Sequence, residues 1–240
     1  MKTKLLQWKF EARSLLAREP ALVLPHMAVI WWTQQKMRGR IDIRECWVGP
    51  HTEFVLDGFQ GSGNSFATVA FKRSQTKPVM IAHHLHAPAQ VLKAIRANLP
   101  TLIAIREPAQ TVLSLTSRWP YITVQQALRS YIHYYEKLAP HLGSFVLSTF
   151  DQTTNHLDEV IRAVNHQFGT SYTPFEHTEE NVRALRGSDE ESRHKDAQRN
   201  KIKAEKSREF ETLECRRLLA EAERLYEQME PYGVGRWPPV

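Results

Sequence analysis

One stretch restricts the fold more than any other. The apolar run Phe54-Val55-Leu56 leads into D-G-F-Q-G-S-G-N-S at residues 57–65, and Phe66-Ala67-Thr68-Val69-Ala70-Phe71 follows it. The first run reads as a buried strand and the last as the opening turns of a buried helix. Strand, Gly-rich turn and helix make a cradle for a phosphate. Glycines let the backbone come close to an anion, and the helix start offers unpaired N–H groups at its positive dipole end. Asn64 and Ser65 add side-chain donors at the same spot. The loop is not a Walker A loop, because the Lys of G-x-x-x-x-G-K-[ST] is absent. Taken alone, Gly58, Gly61 and Gly63 fit an ordinary strand-to-helix turn equally well.

Around this stretch, strand and helix signals alternate. Residues 4–18 read as an amphipathic helix, residues 22–37 as a second, buried helix, and residues 41–48 as irregular or a short strand. Strands are expected at 53–57, 78–81, 100–105 and 144–149, and helices at 65–73, 88–98, 109–116, 124–138 and 156–168. Residues 100–105 are nearly all apolar, as in a parallel strand buried on both faces. Gly169 marks the end of the helix before it. The predicted fold class is α/β: one P-loop-like domain with a central parallel sheet of about four to five strands flanked by helices. It spans residues 1–240, with a core at about 53–172 and helical extensions at 1–50 and 178–230. Residues 188–207 are strongly charged and read as exposed or mobile, followed by an amphipathic helix at 210–229.

The bulk properties narrow the partners. With 240 residues and 42% hydrophobic content the chain can bury a large core. The net charge of +6 suits an anionic ligand. It is not gathered into one run, so a small anion is favoured over nucleic acid. Cys46 and Cys215 stand far apart, which gives no disulfide framework and fits a reducing cytoplasm. The longest apolar stretch, residues 21–32, is too short to span a bilayer, and no signal peptide is evident. Trp31 and Trp32 would allow a peripheral membrane contact, although packing on the core is the simpler use. The oligomeric state is not legible.

In open α/β sheets, ligands sit beyond the carboxyl ends of the strands. Three such ends carry polar groups here: the Gly58–Ser65 loop, the trio His83, His84 and His86, and Arg106 with Ser114 eight residues on. An Arg leaving a buried strand and a hydroxyl about two helical turns later can grip a phosphate through charge-assisted hydrogen bonds. The three histidines lack a further ligand set, so no metal is expected.

These motifs resemble the sulfotransferase superfamily, which uses 3′-phosphoadenosine 5′-phosphosulfate (PAPS). The family's 5′-phosphosulfate loop is similar to Gly58-Phe59-Gln60-Gly61-Ser62-Gly63-Asn64-Ser65. Its 3′-phosphate motif is similar to Arg106-Glu107-Pro108 with Ser114. Its catalytic-His segment is similar to Ile81-Ala82-His83-His84-Leu85, and its later strand and helix resemble residues 145–152 and Phe168-Gly169. The resemblance implies PAPS as donor, PAP as product, and a hydroxyl or amine acceptor on a small molecule, glycan or lipid. It implies that the N–H groups of residues 61–65 and the hydroxyls of Ser62 and Ser65 hold the 5′-phosphosulfate. Arg106 and Ser114 would hold the 3′-phosphate, and His84 would be the base. His86 is the second choice, since alternate residues of an extended segment share a face. The tyrosines at 131–135 read as packing, with lining of the acceptor pocket as the alternative.

One position departs from the family pattern. Gly61 stands where the loop usually carries a Lys or Arg. Another basic residue, for instance from residues 193–208, or the backbone N–H groups must replace that cation. Two rivals follow: a P-loop kinase-like phosphotransferase using ATP and Mg²⁺, and a non-catalytic PAP- or nucleotide-binding protein.

Overall fold

The computed structural model describes residues 2–22, 45–186 and 189–235. The helix expected at 22–37, with Trp31 and Trp32, lies outside these residues apart from Leu22. Four parallel strands form the sheet: β1 (Phe54–Gly58), β2 (Ile81–His83), β3 (Thr101–Ile105) and β4 (Val146–Thr149), in the order β2-β1-β3-β4. The helices are α1 (Lys2–Leu16), α2 (Asn64–Ser74), α3 (Pro88–Arg96), α4 (Pro108–Arg118), α5 (Val124–Leu138), α6 (Phe150–Asn155), α7 (Leu157–Phe168), α8 (Glu179–Arg186), α9 (Asp189–Ser207) and α10 (Leu213–Met229). The chain is thus α/β, with a parallel sheet between helices and helical segments at both ends.

Strand alternation sorts the side chains onto two faces. Ile103, Ile105 and Leu147 point into a cluster built with α4, α5 and α10, while Phe54, Leu56, Leu102 and Val146 point into a second cluster built with α2 and α7. Helix α7 shows how sequence spacing becomes packing. Leu157, Val160, Ile161 and Val164 recur at helical period and all are fully buried. Each contributes about 1.5–3 kcal/mol by leaving water. Gly169, at φ 65°, ends the helix in the left-handed region.

Three local expectations change. Strand β2 begins only at Ile81, because the N–H of Met80 is turned to the Glu53 carboxylate at 2.8 Å. A short helix, α6, precedes α7; Thr149 and Gln152 cap it reciprocally, a pattern legible as a capping box. In the charged segment, expected to be exposed or mobile, Asp189–Ser207 form α9, which packs on α4 and leaves most of its described side chains exposed. Helices α1 and α10 both pack on α5. Among the described residues, no helix is long and apolar enough to cross a membrane.

Candidate functional site

The loop between β1 and α2 owes its shape to its glycines. Gly61 and Gly63 have φ of 99° and 98°, where any side chain is strained. At Gly61 a Cβ would also come within 3.1 Å of the Thr111 carbonyl oxygen and 3.3 Å of the Ser114 side chain, so α4 lies directly on the loop. At Gly58 a Cβ would meet the Ala104 carbonyl oxygen of β3 at 2.4 Å. Any side chain at position 61 would be strained by the positive φ and would press on α4, which accounts for the absence of a loop cation there.

Two expected anion donors are turned the other way. Ser62 is fully buried and its hydroxyl pairs with that of Tyr135 at 3.2 Å. Asn64 is buried, and its Nδ2 donates to the carbonyls of Gly58 and Phe59 at 3.1 and 3.0 Å. Both side chains brace the loop from within. Tyr135 is the centre of that brace: its hydroxyl accepts from the Phe59 N–H at 3.2 Å and donates to the Ala104 carbonyl at 2.8 Å. Burial pushes its pKa up, so it stays a neutral donor. One turn earlier, the Tyr131 hydroxyl donates to the Arg106 carbonyl at 2.8 Å. The outward side of the loop is backbone. Among the described residues, no backbone partner takes the N–H groups of Gly61, Gly63, Asn64 or Ser65. The side chain of Ser65 is exposed at the same rim.

Arg106 and Ser114 converge on this loop. Arg106 Nη1 donates to the Gly61 carbonyl at 3.2 Å, and its guanidinium lies 3.9 Å over the Phe150 ring. Desolvation lowers its pKa and Glu107 raises it; an Arg keeps its charge under such shifts. The half-buried guanidinium therefore brings positive charge to the residue that cannot carry its own.

The three histidines separate by partner. His83 Nδ1 and His84 Nδ1 lie 2.6 Å apart, within hydrogen-bond distance, and His84 Nε2 meets the Ser65 hydroxyl at 3.1 Å. Both ring nitrogens of His84 are thus engaged. Burial, then the neighbouring His86 and His83, push its pKa down to about 4. His86 is different. Its Nδ1 lies 2.7 Å from the Gly58 carbonyl oxygen, which can only accept, so Nδ1 carries the proton. Its backbone N–H donates to both oxygens of Asp57, at 3.0 and 3.2 Å, and Nδ1 stands 3.2 Å from Asp57 Oδ1. No hydrogen bond among the described residues uses Nε2. His84 and His86 both have positive φ, 59° and 52°. Such backbone costs on the order of 1 kcal/mol or more and concentrates at functional sites.

Sequence reasoning placed no role on Asp57 and read Tyr131 and Tyr135 as packing, not as a brace for the loop. Asp57 is 1% exposed and holds the His86 backbone. Its position at a strand end was the available signal. For the tyrosines none existed, since their partners are local to other elements. The segment expected to supply a cation is α9, where Arg199 stands close enough to Arg118 for its charge to help lower the Arg118 pKa, after desolvation. Arg193 and Lys195 lie among side chains outside the description.

A scan against protein-family models finds no match to this chain, and searches of curated proteins and of solved structures find no significant match either.

Proposed function

We propose that this chain is a sulfotransferase-like transferase that binds PAPS and passes its sulfuryl group to a hydroxyl acceptor. The observation carrying the reading is the convergence of free backbone N–H groups, Arg106 and Ser114 on one loop at the carboxyl edge of a parallel sheet. A glycine-shaped loop whose N–H groups at a helix start have no backbone partner among the described residues fits a phosphosulfate. Gly61, Gly63, Asn64 and Ser65 would hold that group through the backbone. The unused edge of the Arg106 guanidinium and the Ser114 hydroxyl would hold the 3′-phosphate. PAPS supplies the sulfuryl group when bound.

Geometry supports two departures from the resemblance. The loop cation is replaced by the backbone N–H groups of Gly61, Gly63, Asn64 and Ser65, since Arg106 is engaged on the Gly61 carbonyl and the 3′-phosphate. The base is His86 in preference to His84. With Nδ1–H fixed on Gly58, His86 presents a lone pair at Nε2, and buried Asp57 stabilises the imidazolium that forms when Nε2 takes a proton. His84 has its Nε2 on Ser65 and instead steadies the cradle rim. A reducing cytoplasmic setting goes with this reading, and both cysteines lie buried.

Calorimetry with PAP, and with ATP plus Mg²⁺, tests the nucleotide. Labelled-sulfate transfer from PAPS to a hydroxyl panel then tests the chemistry. PAP binding with transfer is the expected result. ATP binding that excludes PAP would replace this reading by a kinase-like one, and PAP binding without any transfer would leave a nucleotide-binding protein.

A further inference from the structure

Beside His86 a narrow cavity opens between α1 and α5. Arg13 and Arg18 line it from the N-terminal helical segment, Ser130 and Tyr134 from α5, and Gln60 and His86 from the loops. Two buried polar atoms here have no hydrogen-bond partner among the described residues. One is the hydroxyl of Tyr134, a residue 2% exposed, and the other is Arg18 Nε, although Arg18 Nη2 pairs with Glu136 at 3.1 Å. Arg13 Nη2 donates at 3.3 Å to a backbone carbonyl, that of Leu85, and not to a carboxylate. Burial lowers the Arg13 pKa, and Asp57 is the foremost charge opposing that. Asp57 itself is occupied by the N–H groups of Gly58 and His86.

Buried donors left unsatisfied are costly and uncommon, so a cavity that gathers them is shaped for a ligand. Arg18 is paired with Glu136 and offers only its Nε edge, so Arg13, bound to a backbone carbonyl, is the positive charge that an anion would answer. Its volume of about 20 Å³ is on the scale of one water-sized group, so it admits the polar end of a small molecule and no ring system. His86 keeps 13% of its side chain exposed, with Nε2 unused.

We propose that this cavity receives the acceptor and that the acceptor is a small aliphatic hydroxy acid. This rests on the sulfotransferase reading above. The carboxylate binds Arg13 and the Nε edge of Arg18, and the Tyr134 hydroxyl donates to it. The acceptor hydroxyl lies at His86 Nε2. In transfer, the acceptor oxygen forms a bond to sulfur. The bond from sulfur to the phosphate oxygen breaks, its electron pair leaving with PAP. The acceptor proton goes to His86 Nε2. A neutral alcohol would leave the Arg13 guanidinium with a backbone carbonyl and no carboxylate bound to it.

The full chain is tested with glycolate, 3-hydroxypropionate and 4-hydroxybutyrate against the diols of matching length. Binding is read by saturation-transfer NMR with and without PAP, and transfer by labelled sulfate. At least one acid is expected to exceed its diol about tenfold, the scale of a charge-assisted contact in a shielded site. Arg13→Gln brings the ratio close to one, and Arg13→Lys restores part of it. Tyr134→Phe, which removes one oxygen and keeps the ring, weakens the acid several-fold (about 3–10-fold for a single neutral donor). Acids that bind no better than diols, a preference that survives Arg13→Gln, or indifference to Tyr134→Phe would each overturn the proposal. Failure to bind PAP would instead remove the nucleotide reading. Acid-against-diol binding without PAP would then still decide whether the cavity recognises an anion.

Discussion

His86 Nδ1 donates to the carbonyl oxygen of Gly58 at 2.7 Å, across the gap between the second strand end and the first. This contact fixes one tautomer and ties the candidate base to the first residue of the anion loop. His86→Ala is therefore expected to lower sulfuryl transfer by about 10²–10⁴-fold, with PAP affinity nearly intact in calorimetry. His84→Ala should retain most of the transfer. The reverse result would return the base to His84 and make Ser65 its movable partner.

Arg106→Ala is expected to weaken PAP by about 1.5–3 kcal/mol, the scale of a hydrogen bond to a charged group. Adenosine 5′-phosphosulfate, which lacks the 3′-phosphate, should lose much less. Ser114→Ala should act in the same direction by a smaller amount. Equal losses for both nucleotides would assign Arg106 to the loop alone, through its bond to the Gly61 carbonyl.

Gly61→Ala places a methyl group at φ 99°, 3.1 Å from the Thr111 carbonyl oxygen. A destabilisation of about 1–3 kcal/mol is expected, with a loss of PAP affinity, because α4 must move off the loop. Gly61→Lys should fare worse and gain no transfer. Thermal unfolding and PAP calorimetry check both; a faster Gly61→Lys enzyme would show that the loop tolerates the family cation.

Tyr135→Phe removes one hydroxyl that serves the Phe59 N–H, the Ala104 carbonyl and Ser62. Leaving buried groups unpaired costs about 1–3 kcal/mol. Urea unfolding should show that loss. PAP affinity should fall too, since the brace behind the loop is gone. Unchanged PAP affinity would mean that Asn64 alone holds the loop.

His84 gives the chain a pH response. Its folded pKa is pushed down to about 4 from an ordinary 6.5, so the folded state disfavours its protonation. The unfolded chain then binds the extra proton below about pH 6.5. The stabilisation is complete above that value and is lost as pH falls toward 4, at up to about 1.4 kcal/mol per pH unit. His83, His133 and His177 are shifted the same way, each first by burial, and add to the slope. Urea unfolding of wild type and His84→Asn between pH 7 and 4.5 isolates the His84 share. Parallel curves would show that His84 does not carry it.

Much of the frame was legible. Apolar runs at 54–56 and 101–105 and the helical spacing of Val124 to Leu138 define elements whose geometry is local, and the observed bounds fall close to them. The loop was legible for the same reason: glycines between a buried strand and a buried helix leave few conformations.

What the residues by themselves determined is the order of strands and helices, the glycine-shaped turn and the chemistry at three strand ends. These follow from backbone preference and side-chain period, which act over a few residues. The tertiary structure alone decided which way each loop side chain faces. Ser62 and Asn64 look like ligand donors in sequence, yet Tyr135, brought from α5, gives Ser62 a buried partner, and the Gly58 and Phe59 carbonyls take Asn64. It also gave His84 and His86 different partners, Ser65 for one and Gly58 with Asp57 for the other, all standing across the sheet edge. Buried polar groups must find partners wherever the fold supplies them, and no period along the chain records a contact made between distant elements.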